Sequence, residues 1–173
     1  MKRILKSCTA LVLIAWLVLC MAAPATAAPA ARAAFSAQTT VTDGNIITPP
    51  EDIKWWITQD NIMQIKRVET ESELTGTISG RVRLEISQSL NMDALEGAAH
   101  GKFVLTATEG TFQGSFSGQI TDLSISGTFV AHGTGAYEGQ KIMGSVEVEV
   151  TPADVIMPNF QMTMNGILLN PEG

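Results

Sequence analysis

The chain has 173 residues, 45% hydrophobic and 16% charged, with a formal net charge of −6 and two cysteines, Cys8 and Cys20. Both cysteines fall within an apolar N-terminal run, so a product exported without that run would hold no disulfide, no cysteine-ligated zinc and no thiol nucleophile. The run also carries three of the 11 basic side chains and none of the 17 acidic ones; the rest of the chain has 8 basic against 17 acidic residues, net −9, which argues against binding to nucleic acid or an anionic membrane.

Lys2, Arg3 and Lys6 form a basic start, Leu11 to Leu19 an apolar stretch, and Ala25-Thr26-Ala27 a small-residue cleavage site just after Pro24. This pattern predicts a signal peptide over 1–27 and a secreted or periplasmic product beginning at Ala28. Apolarity from Thr9 to Ala23 falls short of the ~20 residues needed to span a bilayer, so no integral membrane segment is expected once the signal is removed. Leu17-Val18-Leu19-Cys20 approximates a lipoprotein signal, but bulky Leu19 stands where a small residue is required, so acylation of Cys20 is the weaker alternative. Residues 28–50 are rich in Ala, Thr and Pro and show no sustained period of 2 or 3.6; they read as a disordered linker, leaving 51–173 as one domain.

Beyond the linker, strand alternation recurs. Ile53 to Ile57 and Ile62 to Glu69 are weaker strand candidates. From Gly76 to Gln88, Ile78, Val82, Leu84 and Ile86 alternate with Thr77, Arg81, Arg83 and Glu85. The same parity gives Phe103 and Leu105, then Phe112, Phe116 and Ile120, then Leu123, Ile125 and Phe129, and then Ile142, Val146, Val148 and Val150. Phe160 to Leu169 is a further, blurred strand. Turn signals lie at Asn91 to Gly97, Glu109-Gly110, Thr121-Asp122, Gly133-Thr134-Gly135 and Pro152 to Pro158. The class is all-β. Short connections make successive strands antiparallel neighbours, and a meander of about eight strands escapes open edges by closing into a barrel; a Greek-key sandwich would need longer crossovers.

A short unit recurs as Gly76-Thr77-Ile78-Ser79-Gly80, Gly110-Thr111-Phe112-Gln113-Gly114, Gly114-Ser115-Phe116-Ser117-Gly118 and Gly127-Thr128-Phe129-Val130-Ala131. Each glycine shares a strand face with the large apolar residue two positions on, which suits either tight packing in a strongly coiled barrel or room for a ligand. Trp55, Trp56 and Tyr137 are the aromatics suited to a rim; with inward Phe112 and Phe116 and with Glu138 in the turn after Tyr137, they form the candidate ligand-binding set. His100 and His132 lie opposite the apolar positions of their strands and face outward, and Arg81, Arg83, Glu85, Lys141, Glu147 and Glu149 suit a solubilised exterior with cross-strand ion pairs. No P-loop, nucleophile elbow, EF-hand loop or dinucleotide fingerprint is present, and no metal or cofactor is expected.

The run from Gly127 to Gly139, containing Gly133-Thr134-Gly135-Ala136-Tyr137-Glu138-Gly139, together with the strand from Ile142 to Val150, resembles the G-T-G-x-[FY]-x-G turn and following strand of allene-oxide-cyclase-like and dirigent-like barrels. The resemblance implies an eight-stranded antiparallel barrel with an apolar interior, often assembled as a trimer, whose cavity in some members steers cyclisation or coupling of a small hydrophobic molecule. It carries over no catalytic residue, because the expected inner face consists of Ile, Val, Leu, Phe and Gly. The leading expectation is a secreted, non-catalytic barrel binding a small apolar ligand or an extracellular partner. The alternatives are a cyclase or isomerase that confines its substrate, sensitive to Tyr137 and Glu138, and a structural or surface-coat protein.

Overall fold

A computed structural model describes residues 31–151 and 159–170. The expected signal peptide, Cys8 and Cys20 lie outside the described residues, as do residues 152–158. Among the described residues the nine strands are β1 (Ala31–Val41), β2 (Lys54–Ile57), β3 (Ile62–Gly76), β4 (Gly80–Asn91), β5 (Glu96–Thr106), β6 (Gly110–Thr121), β7 (Ser124–Gly135), β8 (Lys141–Thr151) and β9 (Asn159–Asn170). All pairings are antiparallel. β3 to β9 follow one another as a meander, and β1 pairs with both β9 and β3 to close an eight-stranded barrel.

The closing strand corrects the expected domain boundary. Residues 31–41 are not linker: they pair along their whole length with β9, from Ala31 opposite Asn170 to Val41 opposite Phe160. Phe35, Ala37, Thr39 and Val41 point inward and are buried, while Ser36, Gln38 and Thr40 are exposed. The buried Thr39 hydroxyl is satisfied, donating to the Glu73 carbonyl at 2.8 Å and lying 2.7 Å from the Ser72 hydroxyl. The number of barrel strands matches the sequence pattern, but its membership differs, because β1 takes the place expected of the segment around Lys54–Ile57. That segment, β2, lies outside the ring. β1, an Ile46–Thr70 bridge and β2 run in succession along one edge of β3, with 3-10 turns at Asp43–Asn45 and Pro50–Asp52 between them. This broken strand covers an edge that would otherwise be open to other chains.

Register and glycine placement explain the core. One belt of paired inward positions runs Val68, Ile86, Gly101, Phe116, Phe129, Gly144, Gly166 and Phe35, crossing all eight barrel strands. The β1–β3 register, with Ala37 opposite Gly76, carried two residues further brings the belt back level with residue 78, just past the end of β3 and ten residues from its start at 68, and this offset is the stagger a barrel needs in order to close. Within the belt large rings stand beside glycines. Phe129 and Phe35 meet at 5.8 Å between centroids across Gly144 and Gly166, and a side-chain carbon on Gly101 would lie 2.7 Å from the Phe116 ring. The repeat supplies the Phe116 and Phe129 rings of this belt, but the glycines beside them, Gly101, Gly144 and Gly166, stand outside its units.

Other turns and faces follow local chemistry. Asp122 and Leu123 both have positive φ, 49° and 65°, the backbone a two-residue hairpin needs between right-twisted strands. A bulge in β3 sets Lys66 and Arg67 opposite the single residue Ser87; Arg67 takes φ 55°, and its N–H donates to the buried Ser87 hydroxyl at 3.1 Å. On the outer face Arg81 pairs with Glu71 at 3.4 Å, and Arg83 with Glu69. The Glu69 carboxylate, through its hydrogen bond and its charge, holds the Arg83 guanidinium above its ordinary pKa. These pairs join β4 to β3, as the polar parity of β4 suggested.

Candidate functional site

The barrel interior is not filled evenly. Eighteen buried residues form one cluster that includes Phe35, Phe103, Phe112, Phe116, Phe129, Ile142 and Met164. A second, smaller cluster consists of Met63, Ile65, Val68, Leu90, Ala99 and Ile120, with Ile46, Ile53, Met92, Leu123 and Ile125 packed against it. Between the two lies a partly enclosed cavity of about 70 Å³. Twelve of its lining residues are apolar: Val41, Ile46, Ile65, Val68, Leu84, Ile86, Phe116, Ile125, Val148, Val150, Phe160 and Met162. Two are polar, Thr70 and Gln88, and none is titratable.

Local sequence accounts for the gap. The β3 bulge falls between Ile65 and Val68, both of them on the cavity wall, and the extra residue there bends the strand. By the measure in which one water needs ~10–15 Å³, the cavity admits about five water-sized groups. Its wall makes it hospitable to apolar rather than charged matter.

The sequence-derived candidates disperse. Phe116, 8% exposed, is on the cavity wall. Phe112 is fully buried and stacks on Tyr137 at 4.9 Å, in the larger cluster and off the cavity lining. Tyr137 sits in the turn after β7, while Glu138 beside it is exposed. Trp55 and Trp56, 47% and 45% exposed, lie on β2, opposite Ile65 and Gln64 of β3. The structure therefore joins Phe112 to Tyr137 and puts Phe116 alone of the six beside the cavity. Sequence parity did place Ile86, Ile125, Val148 and Val150 on the inner face. It gave no prominence to Thr70, whose position only a fixed β3 register reveals.

His100 and His132 are exposed on the outer face. Among the described residues no group of three or more His, Cys, Asp or Glu side chains is placed to hold a metal ion, and no helix is long and apolar enough to cross a membrane. No protein-family model, curated protein or solved structure matches the chain. A broader depression on the outer wall, over Gly144 and Gly166, is walled by Ser115, Ser117, Thr128, Val130, Met143 and Ile167. It is an open furrow, apolar over much of its floor where Phe116 and Phe129 show between the glycines, and it does not enclose a bound molecule. The interior cavity is the better binding site on physical grounds, because it removes a ligand's apolar surface from water.

Proposed function

We propose that this chain is a non-catalytic carrier or sensor barrel, acting outside the cytoplasm, that takes up the apolar end of a small molecule. The observation that carries the reading is the apolar cavity dividing the core of a closed barrel. A wall with no titratable side chain supplies no general acid or base, which favours binding over chemistry. The likeness of residues 127–139 to allene-oxide-cyclase-like barrels agrees with an apolar interior and adds no reacting group.

The direct test is an amide NMR titration with short n-alkanes. Saturable shifts confined to Ile65, Ile86, Ile125 and Val148 support the proposal; the absence of saturable shifts overturns it. The export half of the reading rests on Lys2, Arg3, Lys6, the apolar stretch and Ala25-Thr26-Ala27. An intact mass beginning at Ala28 supports it, and a mature chain that retains residues 1–27 refutes it.

A further inference from the structure

One atom on the cavity wall is out of keeping with the rest. Thr70 is 2% exposed, and among the described residues its Oγ1 is the buried side-chain polar atom with no hydrogen-bond partner. Two residues along the same face of β3, the Ser72 hydroxyl is paired with that of Thr39, which donates onward to a backbone carbonyl. The fold thus satisfies one buried hydroxyl cluster and leaves its neighbour unpaired beside empty space. An unpaired buried hydroxyl shifts the folding equilibrium against the native state by about 5- to 150-fold, so its position calls for a partner from outside the chain.

We infer that Thr70 Oγ1 is the anchoring contact for the cavity's ligand, and that this ligand is a short, neutral aliphatic molecule bearing a hydroxyl or carbonyl oxygen on its inserted end. The inference rests on the proposed apolar binding and narrows it. A threonine hydroxyl donates to a carbonyl oxygen and both donates to and accepts from an alcohol, so either class satisfies it. A hydrocarbon leaves it unpaired. A carboxylate is excluded by charge: Val68, Leu84 and Ile46 surround Thr70 on β3, on β4 and at the bridge, and the wall offers no cation to an anion stripped of water. The size is set by the cavity, about five non-hydrogen atoms inside and any remainder projecting out.

The test compares 1-pentanol, n-pentane and pentanoate by amide NMR titration on the wild-type protein, Thr70→Val and Thr70→Ser. Pentanol is expected to bind the wild type and Thr70→Ser alike and to lose roughly 5-fold in affinity on Thr70→Val, the worth of one neutral hydrogen bond. Pentane should be unaffected by Thr70→Val within about twofold, and pentanoate should not saturate. If Thr70→Val weakens pentanol no more than pentane, an ordered water suffices for Thr70 and the inference fails while apolar binding stands. Pentanoate binding as tightly as pentanol also overturns it. If none of the three binds the wild type, the carrier reading falls as well. Should Thr70→Val not fold, nuclear Overhauser contacts in the wild type decide: pentanol C1 protons must lie against the Thr70 methyl, and contacts from the terminal methyl alone refute the assignment.

Discussion

Replacing Phe35 with alanine removes the ring by which β1 enters the barrel core. Phe35 is 2% exposed and contacts Phe129 at 5.8 Å, which in turn meets Phe103 at 6.3 Å, so the truncation hollows out the centre of the aromatic belt. Gly144 and Gly166 beside it carry no side chains that could relax into the space. Truncations of this kind cost about 3–5 kcal/mol, a large part of the ~5–15 kcal/mol that holds an ordinary domain together. At ~3–4 °C per kcal/mol for a domain of this size, the melting temperature should fall by roughly 9–20 °C. Urea and thermal unfolding, followed by circular dichroism, measure it. Ser36→Ala is the internal control: Ser36 is exposed and bonds Asn165 at 3.0 Å across the outer face, so its loss should stay within about 0.5 kcal/mol. Equal, small shifts for the two variants would mean that residues 31–41 do not close the barrel.

Val150→Phe on the cavity wall should abolish saturable binding of pentane and pentanol at a stability cost of about 1–3 kcal/mol, and undiminished binding would put the ligand elsewhere. Ser87→Ala should cost about 1 kcal/mol by stripping the bulged Arg67 N–H of its acceptor; a neutral result in urea melts would show that water replaces it. Pentanol affinity should hold within about twofold between about pH 6 and 9, because no wall residue titrates, and a calorimetric slope across that window would contradict the assigned wall. The Arg83–Glu69 pair leaves that window clean: a raised arginine pKa gives stability fully present below the ordinary arginine value and lost only as pH climbs past the folded one.

The barrel was legible because most strands carry large apolar residues at every second position with charge or hydroxyl opposite, as Val82, Leu84 and Ile86 do against Arg81, Arg83 and Glu85. β1 escaped because its inward face holds Ala37 and Thr39 between Phe35 and Val41, and Ala31 to Ala34 blur its start. A small residue and a threonine do not register as a core, yet pairing on both sides makes them one. The candidate site was legible only in part. Parity shows which way Phe116, Ile125 or Val148 points, but a gap between clusters depends on the stagger and on a bulge at Lys66–Arg67, and neither is written in composition. Aromatic content drew attention to Trp55, Trp56 and Tyr137, whereas the informative residue was a threonine whose hydroxyl lacks a partner.

The closing strand carries a consequence for how the chain reaches its native state. β1 leaves the ribosome first among the barrel strands, yet eleven of its residues pair with β9, the last to emerge, and only three pair with β3. The β3 edge has β1, the Ile46–Thr70 bridge and β2 to cover it early, but the margin of β8 stays bare until β9 arrives, so the long β1–β9 seam forms last. Such late, long-range zippering is slow and leaves half-made molecules prone to stick to one another, so maturation of this protein should depend more on a chaperone's protection than its modest size suggests.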